Sequence, residues 1–102
     1  VKSYITLVKE DSIVKIEIPE TISIIRLGAL YGNDIEEIVI PNTVKKIEVD
    51  ALVKNPLTKV TIGENVDIDE NAISQEFSLA YDFVNNKKAG TYIFDGWKWE
   101  LQ

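Results

Sequence analysis

Ile13-Val14-Lys15-Ile16-Glu17-Ile18-Pro19 begins a pattern that returns as Ile35-Glu36-Glu37-Ile38-Val39-Ile40-Pro41 and as Leu57-Thr58-Lys59-Val60-Thr61-Ile62-Gly63, with a spacing of 22 residues each time. Self-similarity at this period is typical of solenoids, in which each unit contributes one strand and one return segment. Neighbouring units then bury a face that no single unit buries alone. The sequence therefore predicts an α/β solenoid with three parallel strands.

The apolar residues of each repeat recur in phase and predict its core. Along the strands, inward positions alternate with polar ones at a period of two, as on a strand with one buried face. These inward residues are Ile16, Ile18, Ile38, Ile40, Val60 and Ile62. Three further rows are Ile13, Ile35 and Leu57; Ile22, Val44 and Val66; and Ile25, Ile47 and Ile68, the last displaced by one residue.

Each return segment is predicted to make a short helical turn that ends in an alanine followed by a leucine or isoleucine, with the small alanine allowing close packing. These ends are Ala29-Leu30, Ala51-Leu52 and Ala72-Ile73. Asn33 and Asn55 follow at the corner, where asparagine tolerates left-handed dihedral angles and bonds local backbone.

Composition bounds the class of protein. The 102 residues suffice for a single domain, which we divide into an N-terminal strand or cap (1–12), three repeats (13–73) and a C-terminal cap (74–102). The net charge of −6 argues against nucleic acid and favours a basic partner, because affinity for phosphates comes from Lys and Arg. The sequence has no cysteine, which excludes a disulfide framework and a thiolate metal site. It has no apolar run of about 20 residues that would span a membrane.

The C-terminal cap is predicted to begin with a helix of about three turns. Phe77, Ala80, Tyr81 and Val84 share one face of this helix, and Ser74 lies near its start. Asp95-Gly96 then predicts a two-residue β-hairpin loop. At the other end, residues 4–8 are expected to form an antiparallel capping strand or the remnant of an earlier repeat.

The predicted hairpin pairs Phe94 with Trp97 and Tyr92 with Trp99, so that all four rings lie on one face. Two interpretations follow. The rings seal the end of the core, which we favour because aromatic stripes are usually core, or they stack on sugars or on a hydrophobic partner.

This arrangement resembles the BspA-like, or Treponema-type, leucine-rich repeats of bacterial surface proteins, whose unit runs roughly L-x-x-I-x-I-P-x-x-V-x-x-I-x-x-x-A-F. The resemblance covers residues 13–73, with Leu or Ile in place of the Phe and Gly63 in place of the third Pro. The stretch from Phe77 to Trp99 is similar to the one that closes such arrays. The resemblance implies a cell-envelope or secreted protein, located outside the cell, at the cell surface or in the periplasm, that acts in adhesion or protein binding. Val1 follows no apolar leader, so we expect a processed chain or a piece of a longer one.

Metal binding and catalysis find little support in the residues. Asp67-x-Asp69-x-Asn71 copies the opening of a calcium-binding EF-hand loop, but Ala72 and Ser78 stand where that loop needs Gly and a bidentate Glu. The sequence lacks His and Cys, so the commonest general base and the thiol nucleophile are missing. Glu17 and Glu37 could approach the spacing of a glycosidase pair. Neighbouring lysines and the absence of a predicted cleft argue against that reaction, so we predict no enzyme, no metal and no cofactor.

Binding is instead predicted on the outward residues of the strands. They form two rows, Lys15, Glu37 and Lys59, and Glu17, Val39 and Thr61. Strands about 4.8 Å apart would make this face roughly 10 to 15 Å wide. The leading hypothesis is a non-enzymatic protein-interaction or adhesion module. The alternatives are a structural spacer in a longer repeat array and a carbohydrate-binding module that uses the hairpin aromatics.

Overall fold

The computed structural model describes the backbone of residues 6–10 and all atoms of residues 13–102. In chain order its strands are β1 (Thr6–Glu10), β2 (Ile13–Glu17), β3 (Ile24–Ile25), β4 (Glu37–Val39), β5 (Lys46–Ile47), β6 (Lys59–Ile62), β7 (Asp67–Ile68), β8 (Gly90–Phe94) and β9 (Trp99–Leu101). A short helix, α1 (Gln75–Ser78), continues directly into a π-helical segment, Leu79–Val84. The strands form a six-stranded sheet in the order β1-β2-β4-β6-β8-β9 and a three-stranded sheet in the order β3-β5-β7.

The repeat period sets the register of the larger sheet. Strands β2, β4 and β6 are parallel, and Lys15 lies opposite Glu37, which lies opposite Lys59. Each pairing therefore joins equivalent positions of successive repeats. The three parallel strands predicted from the sequence are confirmed.

Strand β1 extends this sheet beyond the first repeat. It pairs antiparallel with β2, so that Thr6 lies opposite Glu17. Of the two N-terminal alternatives, the antiparallel capping strand is confirmed. Tyr4 and Ile5, which the prediction included, lie outside the described residues.

The return segments differ from the prediction, because each contains a short strand that is followed by tight turns and not by a helical turn. Strands β3, β5 and β7 pair in parallel as a second sheet. After β5 come two turns, in which Ala51 N–H donates to Glu48 C=O and Val53 N–H donates to Asp50 C=O. Asp50 has a φ of +61°, and a left-handed residue at this place stops a helix from propagating. Gly28 and Asn71 are left-handed at the equivalent places, so the predicted helical turns were wrong in all three repeats.

Asn55 joins two repeats through its side chain. Its Oδ1 accepts from the N–H groups of Asn33 (2.8 Å) and Ile35 (3.0 Å). Its Nδ2 donates to Leu30 C=O (2.8 Å) and Leu52 C=O (2.9 Å). The left-handed corner residues are Gly32, Asp34 and Lys54, so the left-handed geometry expected at Asn33 and Asn55 was wrong. The expected bonds to backbone are confirmed.

The core lies between the two sheets. All six inward strand residues are buried, as predicted, and so are Ile25, Ile47 and Ile68 on the second sheet. Ile13 and Ile22 of the first repeat are only half-buried. Burial is therefore most complete in the second and third repeats.

Tyr81 fastens the C-terminal cap to the third repeat. Its buried hydroxyl donates to Gly63 C=O (2.6 Å) and accepts from Val66 N–H (3.1 Å). A Cβ at position 63 would lie 2.7 Å from Asn42 Oδ1. Glycine at position 63 therefore allows the close approach of Asn42. The proline at the equivalent place in the first two repeats would prevent this contact.

The helical part of the cap begins and ends near the predicted residues, but its second half is π-helical. Ser74 Oγ accepts from Phe77 N–H (3.0 Å), so Ser74 is the N-cap. Phe77, Ala80 and Tyr81 are buried, but Val84 is 72% exposed. The prediction for Val84 was wrong because Leu79–Val84 is π-helical, and its wider turn rotates Val84 away from the buried face.

We expect Asn55→Ala to lower the free energy of unfolding by about 1–3 kcal/mol, because it leaves partly buried N–H and C=O groups without partners. Asn33→Ala is the matched control, since Asn33 occupies the equivalent position but its side chain donates only to Tyr31 C=O at the surface. The control should change stability by about 0.5 kcal/mol or less. Urea denaturation measures both, and equal losses would contradict the inter-repeat role of Asn55.

Candidate functional site

The outward side of the larger sheet is a continuous surface that runs beyond the repeats. One row begins at Lys15, Glu37 and Lys59 and continues to Ile93 on β8 and Glu100 on β9. A second row begins at Glu17, Val39 and Thr61 and continues to Thr91 on β8. The structure thus brings together all six predicted binding residues. The face is wider than predicted, about 24 Å across six strands at about 4.8 Å spacing.

Charges on this face have few ion-pair partners among the described residues. Lys15 Nζ lies 3.9 Å from Glu17 Oε1, an ion pair along one strand. Glu37 and Lys59 form no ion pair with any described residue, although they lie on neighbouring strands. Thr61 Oγ1 lies 3.0 Å from Thr91 Oγ1, so this threonine is bonded across the junction with β8. Glu37 and Lys59, together with Glu100 on β9, are therefore charged groups of this face that remain available to a ligand.

The Asp67–Asn71 segment has a structural role in the second sheet. Lys46 Nζ donates to Asp67 Oδ2 (2.9 Å) and to Asp69 Oδ1 (2.6 Å). These bonds raise the pKa of Lys46, and the bond from Lys46 lowers the pKa of Asp67. Within the described part of the chain, no three His, Cys, Asp or Glu side chains are grouped as metal ligands would be. The two carboxylates at the start of the EF-hand-like motif are thus both bonded to the ammonium group of Lys46.

The lowered pKa of Asp67 predicts how this contact responds to pH. Its stabilising effect is complete above the pKa of an unfolded Asp, about 3.9, and is lost as the pH falls through the lower folded value. Lys46→Gln should therefore be less stable than the parent protein at pH 7. The two melting temperatures should converge as the pH falls through the lowered folded pKa of Asp67.

Lys45→Gln removes the same charge from an exposed neighbour with no ion pair to a described residue. This control should differ little from the parent at either pH. A Lys46→Gln deficit that persists undiminished at pH 2 would show that the contact is not electrostatic.

The hairpin pairs two residues away from the predicted register. Phe94 lies opposite Trp99, and Tyr92 lies opposite Leu101. Asp95 causes the shift, because its carboxylate accepts from the N–H groups of Trp97 (2.8 Å) and Lys98 (2.9 Å) and so flanks the turn. Gly96, with a φ of +95°, takes the first central position, where type II′ turns place glycine.

This register separates the four aromatic rings. Tyr92 and Trp99 are buried and pack on Phe77, with ring centroids 5.5 and 5.2 Å away. Phe94 is half-buried, and Trp97, in the turn, is 85% exposed. The core-sealing interpretation is therefore confirmed for Tyr92 and Trp99 and wrong for Trp97. A sugar-binding face of four rings is not present.

Trp99→Ala should lower the free energy of unfolding by about 3–5 kcal/mol, as large aromatic truncations in a core do. Trp97→Ala should change it by about 0.5 kcal/mol or less, because its ring is exposed. Chemical denaturation of dilute protein measures both values. If Trp97→Ala proved the more damaging, the hairpin register would be wrong.

An apolar patch at this end of the molecule was not predicted. It consists of the exposed side chains of Leu79, Phe83, Val84 and Trp97. Between β9 and the helical segments lies a groove of about 590 Å³, to whose lining Leu79, Val84, Trp97 and Leu101 contribute. The sequence did contain a signal for this patch, namely the adjacent apolar residues Phe83 and Val84. Adjacent residues cannot both lie on the helix face that carries Phe77 and Tyr81, so one of the two had to be exposed.

The family model described as BspA type leucine rich repeat region (6 copies) matches residues 7–98. The chain belongs to this family. The match extends into both caps and so reaches beyond the 13–73 region in which the sequence pattern is evident. Neither a curated protein nor a solved structure matches the chain.

BspA-type repeats are generally protein-interaction or adhesion modules of surface or secreted proteins, and they are typically non-enzymatic. None of the helices in the described ranges is both long and apolar enough to cross a membrane.

Proposed function

We propose that this chain is a non-enzymatic protein-interaction or adhesion module, built as a short single-domain solenoid, that binds a protein partner through the outer face of its larger sheet. The proposed binding residues are Lys15, Glu17, Glu37, Val39, Lys59 and Thr61. The observation that carries the proposal is the unbroken outward surface across β2, β4, β6, β8 and β9. The inward residues of the same strands are committed to the core, whereas outward side chains can differ without disturbing the packing.

Charge supports a partner with both basic and acidic groups on its contact surface. Glu37 and Lys59 have no ion-pair partner among the described residues and lie side by side on β4 and β6. Val39 is half-buried beside them and offers apolar contact. With a net charge of −6, the domain as a whole favours a basic partner at long range.

The spacer alternative is less well supported. A further repeat would need to pair in parallel with β2 or β6, but antiparallel strands β1 and β8 occupy those edges. The repeat array is thus closed in the sheet on both sides, which suits a discrete recognition domain. An extracellular, cell-surface or periplasmic location follows from the family and belongs to the same proposal.

The test exchanges two charges without changing their sum. Glu37→Lys combined with Lys59→Glu keeps the net charge and the opposite signs on β4 and β6, so the fold should persist. Binding partners are first captured from host-surface and matrix proteins, and affinities are then measured by surface plasmon resonance. We expect the variant to bind at least about tenfold more weakly, which corresponds to about 1.4 kcal/mol.

Lys45→Glu combined with Glu70→Lys is the matched control, because both residues are exposed on return segments away from this face. It should bind as the parent does. If the outer-face variant folds and binds undiminished while the control loses affinity, the binding surface lies on the return segments instead.

A further inference from the structure

Strand β9 presents an open edge. It is the last strand of the six-stranded sheet, and no described strand pairs with its other side. Asp95 N–H donates to Lys98 C=O and Gln102 N–H donates to Thr91 C=O, so residues 98, 100 and 102 direct their backbone groups towards β8. Because these directions alternate along a strand, Trp99 and Leu101 direct their N–H and C=O groups towards the open side.

The side chains along this edge have a self-complementary order. Around Trp99, Lys98 and Glu100 carry opposite charges one residue away on each side, and Trp97 and Leu101 are apolar two residues away. Lys98 and Glu100 are exposed and form no ion pair with a described residue. A two-fold axis at Trp99 would therefore place unlike charges opposite each other twice.

We propose that a second copy of this chain pairs with the open edge of β9, antiparallel and centred on Trp99. In this dimer Lys98 lies opposite Glu100 of the other copy, and Trp97 lies opposite Leu101 of the other copy. Such pairing satisfies the edge N–H and C=O groups of Trp99 and Leu101 in both copies. Contacts of this kind are isologous, so each favourable pair occurs twice.

Only one nearby register of the two β9 strands allows backbone hydrogen bonds between the copies and also pairs unlike charges. Hydrogen-bonded antiparallel pairing needs the outward-directed residues of the two strands to face each other, which allows axes at residues 99, 100 or 101. An axis at Glu100 sets this glutamate against its own copy, and like charges directly opposite each other are destabilising. An axis at Leu101 does not place Lys98 opposite Glu100 of the other copy, so the two charges are not paired. The axis at Trp99 is the one that pairs unlike charges.

The apolar groove fits the same arrangement. Leu101 lines the groove together with Leu79 and Val84, and Trp97 of the other copy lies opposite Leu101. Its indole, 85% exposed in one copy, would enter a groove of about 590 Å³, a size typical of sites that enclose small ligands. Dimerisation would thus cover Trp97 and the groove and align two outer faces in one continuous sheet.

Sedimentation equilibrium over a wide range of protein concentration tests the proposal. The chain should show a concentration-dependent dimer. Lys98→Glu alone and Glu100→Lys alone each set like charges opposite each other twice, and each should weaken the dimer by about tenfold or more. The double variant Lys98→Glu/Glu100→Lys restores unlike pairs and should recover dimerisation.

Lys45→Glu and Glu70→Lys make the same changes in net charge elsewhere and should leave the dimer unchanged. Trp97→Ser should weaken it, with circular dichroism confirming that the fold persists. A chain that stays monomeric throughout, a dimer indifferent to the single reversals, or a double variant that fails to recover would each overturn the proposed edge pairing.

Discussion

Hydrogen bonding between equivalent positions of successive repeats is the constraint on which this molecule depends. It operates in the larger sheet, in the second sheet and along the turns, where Leu30 N–H donates to Ala51 C=O (2.9 Å) and Leu52 N–H donates to Ala72 C=O (2.8 Å). A slip of one residue in any of these ladders would break the others and turn the inward residues outward. The three ladders together therefore hold the isoleucine and valine rows in place.

A stack of this kind has two ends that its own repeats do not cover. At the C-terminal end, aromatic side chains cover the core. Phe77 packs against Tyr81, Tyr92 and Trp99 at centroid distances of 5.2 to 5.8 Å. The hydroxyl of Tyr81 then satisfies two backbone groups of the third repeat. Because β8 and β9 continue the sheet, this end cap also widens the outer face and transfers the open edge from β6 to β9.

An open edge is a liability that proteins commonly manage with charged side chains. Here the charges at the edge are Lys98 and Glu100, whose signs differ, so an antiparallel copy is attracted in one register and repelled in another. The outer face and the edge thus have separate uses in our proposals. The first offers side chains to a protein partner, and the second offers backbone to another copy.

The sequence by itself determined the repeat period, the parallel strands and their inward residues, because a period of two within a period of 22 leaves one consistent register. It also located the outward rows, since they are what remains when the inward positions are assigned. The family resemblance, read from the same residues, was confirmed over a longer stretch.

Only the tertiary structure decided the return path, the cap and the hairpin register. Left-handed residues such as Asp50 turned expected helical turns into strands and tight turns, a choice that local propensity does not reveal. The π-helical segment exposed Val84, and the Asp95 carboxylate moved the hairpin turn by one residue and placed Trp97 outside. In each case local backbone conformation and hydrogen bonding outweighed the pattern read from the sequence, and the resulting geometry created the groove and the open edge.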